Sequence, residues 1–397
     1  MKVVQVNSVF GKGSTGRIVS DLHKEAIYKG YESYVFYGRG NRFKKHNVSK
    51  INTSVGVLWH VLLSRLFDYQ GLSSTLETIK LVNKLSKIKP DIIHLHNIHG
   101  YYINYKILFK YLYKFEGQVI WTLHDSWSYT GHCAYYTFSG CNKWEKGCSK
   151  CPQMKSYPKS FIDRSKSNYK LKMNLFTQVK NMTLVTPSKW LNQEIKQSFL
   201  SIHKIITINN GVDQSVFQAR NTSLRTDYDL NDKYIILGVA NVWDNRKGLD
   251  FFIELEDYID ADERIILIGL NEKQLNLLEN LKSNIIGLKR TESSNQLAEF
   301  YSIADVYVNP TLEDNYPTTN LEAISCNLPV ITFNTGGSPE ALFTSGIVTD
   351  DKTTQSIYEA IKKIRHNKIT LTFDNKERIG KDVFVEKYMQ LYNEVTK

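Results

Sequence analysis

Short runs of β-branched and aliphatic residues alternate along this chain with segments of helical periodicity, in two successive series. The first series is Lys2 to Asn7, Tyr34 to Tyr37, Asp91 to Asn97, Gln118 to Asp125 and Met182 to Ser188. The second is Tyr234 to Asn241, Arg264 to Leu270, Ile285 to Leu288, Asp305 to Asn309 and Val330 to Phe333. Such alternation predicts parallel sheets covered by helices, because each parallel pair needs a long crossover. After the first run, Ile18, Leu22, Ala26 and Ile27 recur at helical spacing, and Gly30 stands where a helix stops. The expectation is an α/β chain with two tandem Rossmann-like, doubly wound domains. Residues 209–232 are polar and aperiodic, with Asn-Gly at 210 and 211, and mark the boundary. The expected domains are 1–207 and 208–375. Beyond them, an amphipathic helix over 376–397, carrying Val383, Tyr388, Leu391 and Val395, is expected to pack back across both.

Composition narrows the class. A chain of 397 residues with 42% hydrophobic and 23% charged residues buries a sizeable core, which excludes a single small module and a disordered chain. The apolar start at Val3 is too short for a secretory signal. Val55 to Leu63, the least polar stretch, contains Gly56 and His60 and falls short of the roughly 18 residues a membrane span needs. A cytoplasmic location is expected. Charge is divided unevenly: residues 1–200 hold 30 Lys and Arg against 11 Asp and Glu, a surplus of +19, and residues 201–397 hold 21 against 29, or −8. The basic half points to an anionic partner.

Gly11, Gly13 and Gly16 have G-x-G-x-x-G spacing directly after the first strand, a turn that lets backbone N–H groups meet a phosphate at a helix N-terminus. After the second strand, Tyr37-Gly38-Arg39-Gly40 offers no acid for a ribose, which disfavours NAD and leaves NADP open. Arg17 and Ile18 after Gly16 exclude a Walker A loop. In the second series, Arg246 and Lys247 lie just beyond a strand end, where a diphosphate would meet them. Asp314 and Glu322 stand eight apart across a helix start, and Thr318, Thr319 and Asn320 supply first-turn amides for an anion.

Taken in order, GKGSTGR at 11–17, PDIIHLHN at 90–97, WTLHD at 121–125, NNGVD at 209–213, NRKG at 245–248 and DNYPTTNLE at 314–322 resemble glycosyltransferase family 4. These are retaining nucleotide-sugar transferases of the GT-B fold, with two Rossmann-like domains and an interdomain cleft, and the likeness covers nearly the whole chain. It is nearest to the branch serving bacterial exopolysaccharides of the colanic-acid type. The resemblance implies a UDP- or GDP-sugar donor and a lipid-linked saccharide acceptor. Arg246 and Lys247 would neutralise the donor diphosphate, Glu322 would hold the ribose, and His124 with Asp125 would sit near the reacting sugar. Gly13, Gly16, Asn241, Leu288, Asn315, Tyr316, Pro317, Thr318 and Thr319 would complete the donor side, and Gly11, Ser14, Thr15, His96 and Asn97 the acceptor side. The family's usual first glutamate is Asp314 here, one methylene shorter, with Glu313 beside it. Fixed cations would stabilise the leaving diphosphate, so the chemistry would need no metal or other cofactor.

Cys133, Cys141, Cys148 and Cys151 fall in a Cys-rich insertion near 130–155, and the last two have the C-x-x-C spacing of a zinc knuckle. They are read as a structural zinc site, with His132 as a substitute ligand; free thiols and disulfides are the alternatives. Val55, Leu58, Trp59, Leu62, Leu63, Leu66 and Phe67 form an apolar stripe that either inserts into a bilayer or marks a buried core helix. Peripheral attachment of the basic half to an anionic membrane is expected from the charge imbalance, with or without insertion of the stripe. Two other functions remain: an NADP-dependent oxidoreductase, from the glycine loop and Arg39, and a zinc-containing nucleic-acid binder, from the basic half and the cysteines. The first leaves the second domain's Arg-Lys pair unexplained and the second leaves the two Rossmann-like domains and the carboxylate pair unexplained, and nucleic acid is not expected as a partner.

Overall fold

A computed structural model describes residues 1–281, 284–374 and 376–397. The expected boundary at 375 falls on a residue outside that set. The chain divides into two compact units, residues 1–209 with 385–397, and residues 210–384.

Unit 1 is built on seven strands: β1 (Lys2–Asn7), β2 (Glu32–Tyr37), β3 (Val48–Lys50), β4 (Ile92–Leu95), β5 (Gln118–Thr122), β6 (Met182–Thr186) and β7 (Lys204–Thr207). They are parallel and lie in the order β3-β2-β1-β4-β5-β6-β7. Unit 2 holds β8 (Tyr234–Val239), β9 (Glu263–Ile268), β10 (Ile285–Leu288), β11 (Val306–Asn309), β12 (Val330–Phe333) and β13 (Gly346–Thr349), parallel in the order β10-β9-β8-β11-β12-β13. All ten expected runs form strands. The edge strands β3, β7 and β13 were not anticipated. In both sheets the order reverses beside the first strand, between β1 and β4 and between β8 and β11, which opens a crevice at the carboxyl ends.

Burial on both faces explains the apolar runs. Ile235 and Leu237 of β8 pack into one core layer of unit 2 while Ile236, between them, packs into the other. Each such fully buried side chain contributes about 1.5–3 kcal/mol relative to exposure. Helix α1 (Gly13–Tyr28) buries Ile18, Leu22 and Ala26 against the sheet, and Gly30 follows it with φ +81°.

Helix α2 (Ser54–Phe67) overturns the buried-core reading of the apolar stripe. It buries His60 and Ser64 and exposes Val55, Leu58, Trp59, Leu62, Leu66 and Phe67, with Leu58 68% and Trp59 60% accessible. The buried His60 is satisfied locally: the Gly71 N–H donates to His60 Nε2 at 3.1 Å, which leaves Nδ1–H to donate to Ser74 Oγ at 2.8 Å. Among the described residues no helix is long and apolar enough to cross a membrane. Two other helices of unit 1 bear on its site. α3 (Ser165–Phe176) lies beside the cysteine segment, and α5 (Lys381–Val395) follows, in chain order, the unit 2 helix α4 (Thr318–Ser325). Only the first residues of α5 belong to unit 2; from Val385 onward it is part of unit 1.

Candidate functional site

In unit 2 the loops after β8 and β11 are tied together. Leu312 N–H donates to Arg246 O at 2.8 Å, and Arg246 Nη1 donates to Glu313 O at 2.6 Å. This fixes both cations at the strand ends. Lys247 Nζ lies 2.5 Å from Asp314 Oδ2, and Arg246 Nη1 lies 3.8 Å from the same oxygen. Burial would raise the Asp314 pKa, but Lys247 and Arg246 hold the carboxyl below its usual range. Lys247 is pushed down by burial and by Arg246, against the pull of Asp314. The expected sugar contact and the expected diphosphate contact are thus partners of each other, and the trio carries a net charge of one positive.

The segment beyond is mostly buried. Asn315, Tyr316 and Glu322 are 6%, 5% and 2% accessible, and Tyr301 donates its hydroxyl to Glu322 Oε2 at 3.2 Å. Helix α4 starts after Pro317 without a side-chain cap, and Thr318 and Thr319 are partly exposed in its first turn. Asn320 corrects the expectation of a free amide: its N–H donates to Pro317 O at 3.2 Å, and its side chain locks Asn309 to Ser338. Asn241 lines a cleft of about 360 Å³ with Trp243, Gly269, Asn271, Lys289 and Arg290, at the ends of β8, β9 and β10. Leu288 ends β10 beside it, its carbonyl accepting from the Gly269 and Leu270 amides. The sequence reading missed Lys289 and Arg290, and also Gly336-Gly337 after β12. Gly336 has φ +54°, a Cβ there would lie 2.1 Å from Asp314 O, and Gly337 N–H donates to that oxygen at 3.0 Å. A Gly-Gly pair directly after a strand was the available signal.

In unit 1, Gly11, Gly13 and Ser14 are exposed and Thr15 half-buried, in a loop closed by the Gly11 N–H bonding to the buried Gly16's carbonyl at 2.8 Å. The Gly11 amide is therefore occupied. α1 begins at Gly13 with no side-chain cap and no acid in its first turn. His96, expected on the acceptor surface, instead lies under it, 1% accessible, between Gln5 Oε1 at 3.3 Å and His124 Nε2 at 3.2 Å. Asn97 is half-buried, and its N–H donates to Asn7 Oδ1. Burial pushes His124 down to about 4, more than Asp125 can offset. Asp125 accepts from Trp127 N–H at 2.9 Å, and its other oxygen lies 2.8 Å from His99 Nε2. Burial alone would raise the Asp125 pKa; His99 and the Trp127 amide hold it low. His99, which also meets Tyr157 OH at 3.0 Å, was not anticipated. Neither were Tyr388 and Tyr392 of α5: His94 bonds Tyr392 OH at 2.7 Å and Thr122 Oγ1 at 2.8 Å, and Thr122 in turn bonds Tyr388 OH at 2.8 Å.

Comparison with known proteins agrees with this picture. Residues 15–216 match the description "Glycosyltransferase Family 4", and residues 233–367 match "Glycosyl transferases group 1". The chain belongs to glycosyltransferase family 4. It is 26% identical, over 87% of its length and 86% of the relative's, to the colanic acid biosynthesis glycosyl transferase WcaC of Escherichia coli. Its fold is similar to that of sucrose-phosphate synthase from Thermosynechococcus elongatus, with TM-score 0.72, 16% identity and coverage of 100% and 99% of the two chains. Anabaena HepE, solved in complex with UDP-glucose, gives TM-score 0.68 at 14% identity over 99% and 100%. The two parallel sheets are the Rossmann-like domains of a GT-B fold. Family membership sets aside the oxidoreductase and nucleic-acid readings.

In this family 4 chain the four cysteines line one cavity with His132, Tyr136 and Trp144. All are free thiols. Gly131 N–H donates to Cys148 Sγ at 3.1 Å, and the Cys133 and Cys151 thiols are hydrogen-bonded to each other. His132 Nδ1 lies 2.6 Å from Asp68 Oδ1, while its buried Nε2 has no partner among the described residues. Among the described residues no three His, Cys, Asp or Glu side chains are gathered as a metal-holding group.

Proposed function

We propose that this glycosyltransferase is a retaining enzyme that moves a sugar from a UDP- or GDP-sugar to a hydroxyl of a lipid-linked saccharide in surface-polysaccharide synthesis. The observation that carries the reading is the Arg246–Lys247 pair, fixed by Leu312 and Glu313 at the ends of β8 and β11. As the sugar–phosphate bond breaks, negative charge develops on the diphosphate. Two cations already held in place stabilise it without reorganising. When the diphosphate binds, Lys247 exchanges its contact with Asp314 for the phosphate, and the released carboxylate accepts from donor-sugar hydroxyls. Glu322 holds the ribose. Retention follows from front-face attack, with the leaving phosphate taking the acceptor's proton, and no divalent metal takes part. With Gln5 Oε1 accepting from His96 Nε2–H, His96 Nδ1 accepts from His124 Nε2–H. Neutral His124, with Asp125, orients the sugar at the acceptor-side unit. Gly13, Gly16, Ser14 and Thr15 edge that site.

The test is a panel of UDP- and GDP-sugars with lipid-linked acceptors, the anomeric configuration of the product being read by NMR. An inverted product, or inhibition by EDTA within the mixing time, would falsify the mechanism.

Two further parts of the reading concern the surroundings of the site. The cysteine segment holds a structural zinc, supported by the four thiols and the orphaned His132 Nε2 around one cavity. Asp68 orients that histidine as carboxylates orient metal-bound imidazoles. The basic half and the exposed stripe of α2 dock on an anionic bilayer, each Lys or Arg at the surface contributing about 1 kcal/mol. Cosedimentation with phosphatidylglycerol vesicles should fall at high salt; equal binding to neutral vesicles would sink the electrostatic part.

A further inference from the structure

Arg39 stands just past β2. Its backbone N–H is bonded to Ser8 O at 2.8 Å, which puts it beside the crevice between β1 and β4. Its side chain makes no hydrogen bond or ion pair among the described residues, and its Nε is buried without a partner. A guanidinium with a buried, unpartnered Nε, in a unit already rich in cations, is set for an anionic ligand that is not part of the protein. The neighbouring backbone makes room for it. Gly100 has φ +98°, and a Cβ there would stand 3.3 Å from Arg39 Nη2. The next residue, Tyr101, has φ +69°, a left-handed conformation that a bulky side chain adopts at a cost and that recurs at ligand sites.

That turn sets the Tyr101 ring 6.0 Å from the Arg39 guanidinium carbon and 6.0 Å, edge-on, from the His60 ring on the buried face of α2. On α2, the Arg65 carbonyl accepts from Ser160 Oγ at 3.1 Å, three residues past Tyr157, whose ring lies 6.1 Å from that of Tyr101, and the charges of Arg39 and Arg65 both oppose the upward push of burial on the Tyr101 hydroxyl. Arg65, too, has no ion pair among the described residues. It is exposed, with Leu62 one turn before it and Leu66 next to it, and its carbonyl accepts from Phe161 N–H at 2.7 Å. Phe161 is 82% and Ile162 48% accessible. One fork at the Tyr101 ring and a second on α2, neither with an ion pair among the described residues and the second bordered by exposed apolar side chains, match a phosphorylated head carried on a hydrocarbon chain.

We propose that Arg39, at the Tyr101 ring, and Arg65 of α2 form the subsite that binds the phosphate groups of the lipid-linked acceptor. The inference rests on the acceptor class proposed above and names where in unit 1 that acceptor is gripped.

The test is titration of the full-length protein with farnesyl diphosphate while UDP or GDP, whichever binds, saturates the donor unit. Arg39→Gln and Arg65→Gln should each weaken farnesyl diphosphate tenfold or more and leave nucleotide affinity unchanged. Arg39→Lys, which keeps the charge and loses the fork, should fall between. Arg65 is exposed, so its variant reports on the subsite even if Arg39→Gln folds poorly. Phosphatidylglycerol vesicles form the second arm, and Arg39→Gln should bind them as the wild type does. Wild-type affinity for farnesyl diphosphate in both glutamine variants would overturn the subsite while the transferase reading stood. A loss on vesicles as large as the loss on farnesyl diphosphate would assign the arginines to bilayer headgroups and overturn it as well. Failure of the wild type to bind either nucleotide would instead bring down the donor reading and the subsite with it.

Discussion

The two strand-end regions use opposite electrostatics. In unit 2 the groups are charged and mutually compensated, with Lys247 and Arg246 on Asp314. In unit 1 they are largely neutral imidazoles packed under the surface, with His94, His96 and His124 in one contiguous set. Nine of the ten histidines precede residue 210; His366 is the exception. A paired charge can be lent to an anion and recovered, whereas a neutral, hydrogen-bonded ring keeps one orientation. On the function proposed above, the difference suits one unit that grips and releases a diphosphate and another that presents a hydroxyl in fixed geometry.

Acid should break the comparison most severely. His60 and His124 are pushed down to about 4 and His94 to about 3, chiefly by burial. Folded pKa values below the unfolded 6.5 mean that the unfolded state binds more protons between the two. The stability these groups protect is complete above about pH 6.5 and is lost as pH falls toward 4, at up to about 1.4 kcal/mol per pH unit for each histidine. Asp314 has the opposite sign of charge and a depressed pKa, so its share is lost only below the ordinary carboxylate range. Hydrogen exchange between pH 6.5 and 4.5 should show amides of unit 1 opening before those of unit 2. Simultaneous opening would erase the distinction.

Lys247→Ala comes next in size. It removes a fixed cation and should lower turnover about a hundred- to a thousandfold, roughly 2.7–4 kcal/mol, with the fold retained. Near-normal rates would mean that the ion pair is structural only. Glu322→Gln should raise the dissociation constant for the nucleotide about tenfold with a smaller effect on kcat, since a ribose contact is made in ground and transition states alike. A loss confined to kcat would contradict that role. Smallest is Tyr392→Phe. It strips one hydrogen bond from His94 and should cost about 1 kcal/mol, read as a lower unfolding midpoint in urea. For the cysteine segment, metal analysis of protein purified without added metal should approach one zinc per chain, and none, with all four thiols titratable, would remove the metal.

Much of the fold was legible because central strands buried on both faces announce themselves as apolar runs. Val48–Lys50, Lys204–Thr207 and Gly346–Thr349 are short edge strands with weaker burial, so their sequences lack that signature. The apolar residues of α2 were equally visible, but hydrophobicity does not say which face looks inward. Here the hydrogen bonds of His60 decide it. In the site, contiguous motifs surfaced and distant pairings did not. His99 gains its place from Asp125, 26 residues away, and His94 from Tyr392, 298 residues away. Only the completed fold brings such groups together.

The α5 contacts have a consequence for the order of manufacture. The hydroxyls that His94 and Thr122 require stand on residues 392 and 388, so unit 1 is completed only after the residues of unit 2 have been made. At about 5–20 residues per second, His94 waits roughly 15–60 s for its partner. Throughout that interval the nascent chain carries an open polar seat beside β4, and a chaperone has until residue 392 is made to guard it.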